Sequence, residues 1–124
     1  MRTTRPSCAR FGRSGIADPR RGDVWTIRPP RDARGHEQAG RRYAVILQSD
    51  ALAPYSTVVA APTSASAPAA LWRPEVRVGR QRTRVLTDQL RTVDRGRLGR
   101  CVGRLAGDEL SDVEDALRAV LGLL

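Results

Sequence analysis

Only the last stretch of this chain has the periodicity of an α-helix. Its apolar side chains recur every three or four residues, and acidic side chains hold the opposite face. The apolar positions are Leu110, Val113, Leu117, Leu121 and Leu124, and the acidic ones are Asp112, Glu114 and Asp115. Asp108 is predicted to be the N-cap, and Glu109 falls in the first turn, where the helix dipole favours an anion. Because no helices alternate with the strands, a parallel α/β fold is disfavoured.

The other apolar runs are short, and glycine- and proline-rich segments separate them, as is typical of strands. We predict strands at 21–28, 42–48, 56–63, 75–79, 83–93 (one strand or two short ones) and 101–106. Asp94 is predicted to open one helical turn. The run 42–48, RYAVILQ, is apolar on both faces and is therefore expected to be a central strand. These elements predict a mainly β protein with a C-terminal α-helix, built as a small and strongly bent barrel-like sheet.

The length of 124 residues suits one domain. Residues 1–20 are rich in arginine and poor in apolar side chains, so we expect a disordered or poorly ordered extension, followed by a domain at 21–124. No apolar run approaches the roughly 20 residues of a membrane span. A cytoplasmic protein without membrane contact is therefore expected. Cys8 and Cys101 are expected to be free thiols in a reducing compartment.

The chain is strongly basic, with a net charge of +9 that comes from 22 arginines and no lysine. Such a surface attracts polyanions, which favours nucleic acid as a partner. His36 is the only histidine. A multi-histidine metal site is therefore excluded, and a Ser-His-Asp triad could use only this loop residue. We expect neither a metal nor a cofactor.

Arg41 and Arg42 stand where the polar loop 29–40 meets the apolar run 42–48. The residues alone leave two interpretations open: surface charges at a strand end, or contacts to a phosphate. A planar guanidinium can bind two phosphate oxygens at once, which makes the second possible. Trp25 and Trp72 could stack on bases, as aromatic residues do in single-strand binders. For Trp25, packing in the core is the better interpretation.

Several motifs occur together in a consistent order along the chain. They are RGDVW (21–25), GHEQAGRRYAVILQSD (35–50), VVAAPTS (58–64), VLTDQLRTVDRGRLGRCVGRL (85–105) and ELSDVEDAL (109–117). With them the chain resembles the MazF/PemK toxin endoribonucleases over about residues 20–122. The resemblance implies an SH3-like barrel with a C-terminal helix, a fold shared with the gyrase poison CcdB. It also implies a homodimer whose interface groove binds single-stranded RNA, and an antitoxin whose acidic, flexible tail covers that groove.

The same resemblance implies metal-independent RNA cleavage that leaves a 2′,3′-cyclic phosphate and a 5′-hydroxyl. It assigns catalytic roles to Arg42, to Thr63 and to Glu37, which either accepts a proton or orients Arg42. The residues expected to bind RNA are Arg41, Gln38, Ser64, Gln89 and Arg91. Two alternatives remain: a CcdB-like gyrase-inhibiting toxin, in which Arg42 and Thr63 have no role, and a non-catalytic RNA-binding barrel.

Overall fold

The computed structural model describes residues 18–28 and 42–123. Within them the chain forms a mainly β structure with one C-terminal helix, so the predicted fold class is confirmed. The strands are β1 (Asp23–Ile27), β2 (Arg42–Ile46), β3 (Thr57–Ser64), β4 (Glu75–Val78), β5 (Gln81–Val85), β6 (Arg91–Asp94) and β7 (Leu98–Arg104). The helix is α1 (Gly107–Leu121), and 3₁₀ turns lie at Asp50–Leu52, Thr87–Gln89 and Arg95–Arg97.

The strands pair antiparallel in the order β4-β5-β3-β2-β1-β7, with β6 also on β3. Along one edge of β3 the pairing changes, because residues 57–60 face β6 and residues 63–64 face β5. Pro62 lies at this change, where its carbonyl accepts a hydrogen bond from the Leu86 N–H at 2.9 Å. A proline, which has no N–H to donate, is tolerated in β3 because the ladder is interrupted there.

The sheet bends back on itself into a half-barrel. Strand β6 pairs with β3 and β7 pairs with β1, yet only the 3₁₀ turn 95–97 joins β6 to β7. Three residues span only about 10 Å, so these two strands must lie close together. Asp94 caps the turn by accepting the Gly96 N–H at 2.7 Å, as the sequence predicts.

The core has two parts, one on each face of the sheet. Strand β2 contributes to both, because Val45 packs in the cluster that contains Val113 of α1, while Ala44 and Ile46 pack in the other. This burial on both faces confirms that 42–48 contains a central strand. Trp25 lies in the second cluster and is 6% exposed, which confirms packing as its role.

The RGDVW motif anchors the N-terminal part of the sheet. Asp23 is 1% exposed, and its carboxylate accepts a hydrogen bond from Nη1 of Arg104 at 2.7 Å and from the Arg20 N–H at 2.8 Å. Gly22 has a φ of +89°, a left-handed conformation that favours glycine. The motif therefore has a structural explanation that needs no catalytic role.

The helix begins earlier than predicted, with Ala106 and not Asp108 at the N-cap. The reason is Glu109, whose carboxylate accepts the Ala106 N–H at 3.0 Å and the Arg77 N–H at 2.8 Å. One buried acid thus satisfies the helix terminus and ties α1 to β4. Of the predicted apolar face, Leu110, Val113 and Leu117 pack on the core, Leu121 is exposed, and Leu124 lies outside the described residues.

Strand β7 begins at Leu98, three residues before the predicted start, because Leu98 already pairs with Ile27 of β1. Gly99 does not interrupt it. A Cβ there would lie 2.3 Å from the Thr26 hydroxyl, so glycine leaves room for that side chain within the strand.

The structure contradicts one prediction about the chain as a whole and leaves another untested. Cys101 is disulfide-bonded, so the expectation that it is a free thiol is wrong, and Cys8 lies outside the described residues. Residues 1–17 lie outside the described part, and the boundary at residue 20 stays a prediction, although Asp18 forms an ion pair with Arg95. Among the described residues no helix is long and apolar enough to span a membrane.

Candidate functional site

A cavity of about 720 Å³ opens where β2 begins and β3 ends, facing the β4–β5 hairpin. Its size falls within the roughly 300–1,000 Å³ of small-molecule and cofactor sites. Arg42, Thr63, Ser64 and Gln89, which the sequence predicts as functional residues, all border it. The structure therefore brings four of the eight predicted site residues to one place.

The pairing of β2 with β3 fixes the first three of these residues. Ala44 faces Pro62 in the ladder, and the same register continued outward brings Arg42 opposite Ser64. Because side chains alternate along a strand, Arg42 and Ser64 extend from one face of the sheet and Thr63 from the other. All three border the cavity because it lies at the ends of the two strands. The buried residues of β2 behind Arg42 hold its backbone in place.

Arg42 gives the cavity its charge. Among the described residues that border the cavity it is the only charged one, and no carboxylate accompanies it there. Its Nε atom is buried and has no hydrogen-bond partner within residues 18–28 and 42–123. A guanidinium at a cavity wall that has no carboxylate beside it attracts anions, and its N–H groups can donate to the oxygens of a phosphodiester. The cavity is thus suited to an anionic ligand.

Thr63 and Ser64 add hydroxyl groups to the wall of the cavity. The Thr63 hydroxyl donates to the Tyr43 carbonyl at 3.4 Å, and Oγ of Ser64 lies 3.4 Å from Oγ of Ser66. Both distances are long for a hydroxyl donor. Each hydroxyl can therefore rotate toward a ligand at little energetic cost.

Gln89 reaches the cavity from the 3₁₀ turn 87–89, whereas Arg91 does not border it. Arg91 begins β6, faces Ala60 and is exposed. It belongs to a separate basic cluster with Arg28 and Arg97. Burial lowers the pKa of Arg97, and the nearby charges of Arg91 and Arg28 lower it further. The structure therefore separates Gln89 from Arg91, although only one residue lies between them in the sequence.

The other predicted residues, Glu37, Gln38 and Arg41, together with His36, lie outside the described residues. Four polar residues that border the cavity were not among the predicted site residues: Tyr43, Ser66, and Gln81 and Thr83 of β5. Gln81 and Thr83 lie in the same alternating row as the buried Val85, but the predicted strand 83–93 did not include Gln81. Within the described residues, no three histidine, cysteine, aspartate or glutamate side chains are grouped to hold a metal ion.

Comparison with known proteins gives one consistent result. The family model described as "PemK-like, MazF-like toxin of type II toxin-antitoxin system" matches residues 20–121. A Mycobacterium tuberculosis strain H37Rv protein named "Putative toxin Rv3098A/RVBD_3098A" is 42% identical over 104 residues, which cover 83% of this chain and 97% of that protein.

Two solved structures are similar over most of their length. The crystal structure of MazF from Deinococcus radiodurans has a TM-score of 0.69 and 29% identity, covering 86% of this chain and 98% of that one. An endoribonuclease from a mycobacterial species, solved in complex with its cognate antitoxin, has a TM-score of 0.68 at 20% identity, covering 86% and 97%. At that identity the second likeness concerns the fold alone.

Proposed function

Because the chain belongs to the PemK-like, MazF-like family of type II toxin–antitoxin toxins, we propose that it is an endoribonuclease. Its substrate is single-stranded RNA, mRNA in the first place, which it cuts sequence-selectively and without a metal ion. A cognate antitoxin with an acidic, flexible tail neutralises it. The observation that carries this proposal is Arg42, which is the one charged residue among the described residues that border the cavity.

The proposed chemistry needs no protein nucleophile, since the ribose 2′-hydroxyl attacks the adjacent phosphorus. The 2′-oxygen forms a bond to phosphorus as the bond to the 5′-oxygen breaks, which leaves a 2′,3′-cyclic phosphate and a 5′-hydroxyl. One proton leaves the 2′-hydroxyl and one is added to the departing 5′-oxygen. The protein must align the attack and stabilise the extra negative charge on the phosphorane.

Arg42 stabilises the negative charge that develops on the phosphorane. Its planar fork can donate to two phosphate oxygens, and a guanidinium keeps its positive charge throughout, so Arg42 stabilises charge and does not transfer a proton. Thr63 donates a further hydrogen bond from the neighbouring strand, and Ser64 and Gln89 contact the RNA from the same cavity. Glu37 accepts the 2′-hydroxyl proton or orients Arg42, and Arg41, Gln38 and Arg91 bind flanking RNA.

The proposed partners, RNA and an antitoxin, are inferred from the net charge of this chain and from the proteins that it is similar to. A net charge of +9 is complementary both to RNA and to an acidic antitoxin tail. The mycobacterial endoribonuclease of similar fold was solved with its antitoxin. We propose a homodimer whose interface groove contains the cavity. Co-purification with the product of a small open reading frame just upstream tests the antitoxin assignment.

The decisive experiment incubates the purified protein with single-stranded RNA in EDTA and identifies the ends produced. We expect 2′,3′-cyclic phosphate and 5′-hydroxyl ends. Arg42→Ala should slow cleavage by about 100-fold or more, the usual loss when a donor to transition-state charge is removed. Arg42→Lys should restore part of the rate, since it keeps the charge and loses the fork.

Arg100→Ala is the matched control, because Arg100 is an exposed strand residue that does not border the cavity. It removes the same charge and should leave cleavage within about twofold. Thr63→Val keeps the shape, loses only a long hydrogen bond, and should still lower the rate. Intact RNA in EDTA, or products with 3′-hydroxyl ends, would refute the mechanism. Normal cutting by Arg42→Ala would refute the assignment of the site.

A further inference from the structure

Two neighbouring large apolar side chains are exposed to solvent on the segment 65–74, which connects β3 to β4. Leu71 is 85% exposed and Trp72 is 42% exposed, whereas Trp25, the other tryptophan, is buried. Single exposed apolar residues are common on protein surfaces and mean little by themselves. What distinguishes Trp72 is how firmly the backbone around it is held.

The structure fixes this backbone from both sides. The Thr87 hydroxyl donates to the Trp72 carbonyl, and Nη1 of Arg84 donates to the Arg73 carbonyl at 2.9 Å. The Arg73 guanidinium binds both carboxylate oxygens of Asp88, at 3.2 and 3.0 Å. Such a two-bond contact fixes direction as well as distance. Trp72 is therefore presented by a rigid support, which lowers the entropic cost of using its ring to bind.

The same support connects Trp72 to the cavity. Thr87 and Asp88 belong to the 3₁₀ turn that ends at Gln89, and Gln89 borders the cavity. The segment that carries Trp72 also begins at the cavity wall, where Ser66 lies. A ligand that extends out of the cavity past this turn therefore reaches Trp72 next.

The charge around Trp72 indicates what kind of ligand this is. The adjacent hairpin 75–85 contains four arginines (Arg77, Arg80, Arg82 and Arg84) and a single acid, Glu75. An aromatic ring beside a basic surface is the combination that binds single-stranded nucleic acid, because the arginines attract the backbone while the ring stacks on a base. An apolar protein partner would instead need a continuous apolar patch.

We propose that Trp72 stacks on a base of the bound single-stranded RNA, next to the linkage held in the cavity. This assignment rests on the proposed function, and it adds a residue that contributes to affinity and to the choice of flanking sequence. Trp72 takes no part in the reaction itself.

The test measures binding separately from cutting. A single-stranded 2′-O-methyl RNA of mixed sequence lacks the attacking hydroxyl, so the unmodified protein can be titrated with it and followed by anisotropy. Trp72→Ala should weaken binding by about 5- to 150-fold, which is 1–3 kcal/mol per stacked base converted at 1.4 kcal/mol per tenfold. Trp72→Phe should lose less. Leu71→Ala is the matched control and should change binding by less than about twofold.

Two further readouts identify the contact. RNA should quench tryptophan fluorescence in the unmodified protein and not in Trp72→Phe, because the remaining Trp25 is buried. Removing single bases from the oligonucleotide should reveal one position whose loss weakens binding to the unmodified protein and has no additional effect on Trp72→Ala.

The outcomes separate this inference from the proposed function. Unchanged affinity and unchanged quenching in the Trp72 variants would overturn it while RNA cleavage still stands. Unchanged RNA binding together with a lost subunit or antitoxin contact would overturn it in favour of a protein interface. Base stacking without cleavage would support Trp72 and refute the nuclease.

Discussion

Replacing Asp23 tests whether the acid of the RGDVW motif holds the fold or takes part in the chemistry. Its carboxylate is 1% exposed and accepts hydrogen bonds from Nη1 of Arg104 and from the Arg20 N–H. These contacts join β1 to β7 and to the segment before the sheet. Asp23→Ala removes the acceptor and leaves these two donors where they are, together with Nε1 of Trp25, which donates to the same carboxylate at 3.4 Å.

The size of the effect follows from the burial of the pair. Removing one partner of a buried ion pair costs about 3–5 kcal/mol, because the remaining charge is left uncompensated. The Arg104 side chain is 25% exposed, so water can solvate part of its guanidinium. We therefore expect the free energy of unfolding to fall by an amount at the lower end of this range, about 3 kcal/mol. A loss of that size lowers the Tm by about 12–24 °C in a domain of this size.

Urea unfolding followed by far-UV circular dichroism measures this loss as a change in midpoint at constant slope. Asp115→Ala is the matched control, because its partner Arg118 lies 2.9 Å away in an exposed i,i+3 pair. It makes the same change in net charge, and exposed pairs are worth about 0–1 kcal/mol. If Asp23→Ala lost less than about 1 kcal/mol, or no more than Asp115→Ala, a structural role for Asp23 would be wrong.

Two further predictions concern the contacts that hold the surroundings of the cavity. The hydrogen bond from Arg73 lowers the pKa of Asp88 below its ordinary value. The ion pair's contribution to the free energy of unfolding is therefore complete above about pH 4, and it is lost as the pH falls through the lowered pKa. The Tm of Asp88→Asn should therefore lie below that of the unmodified protein at pH 7, and the two Tm values should converge in acid. A constant difference across that range would contradict the pairing. Glu109→Ala leaves two backbone donors without their acceptor and should cost about 2 kcal/mol or more, while Glu109→Gln keeps an acceptor and should lose less by the same urea assay.

The sequence predicted the central part of the fold well, because burial decides it locally. The run 42–48 is apolar on both faces, and a strand buried on both faces is what the structure has at β2. The start of the helix was wrong for a reason that lies elsewhere in the chain. Glu109 was recognised as a first-turn acid, but its second acceptor role toward the Arg77 N–H depends on β4, which lies about 30 residues away.

The strand register explains why three of the residues that the resemblance names as site residues border one cavity. Arg42, Thr63 and Ser64 lie at the ends of paired strands, so a correct strand assignment brings them close together. Gln89 and Arg91 show the opposite case. The change from a 3₁₀ turn to β6 directs one toward the cavity and the other toward Arg28 and Arg97, and no local pattern in the sequence indicates that change.

The cavity is positively charged because most acidic side chains of the described residues form ion pairs elsewhere. Most of the ion pairs in the described residues join segments far apart in sequence: Asp18 with Arg95, Asp23 with Arg104, Glu114 with Arg21 and Asp88 with Arg73. Each of these carboxylates holds the fold together and lies away from the cavity wall. Since arginines outnumber acids by 22 to 13, fixing acids in such pairs leaves the excess positive charge for the surface and for Arg42. A guanidinium in a partly enclosed cavity without a fixed counter-ion interacts more strongly with an incoming anion than the same group in open water, because the low-dielectric walls screen it less. The acids that stabilise the barrel thereby also leave the cavity suited to a phosphodiester.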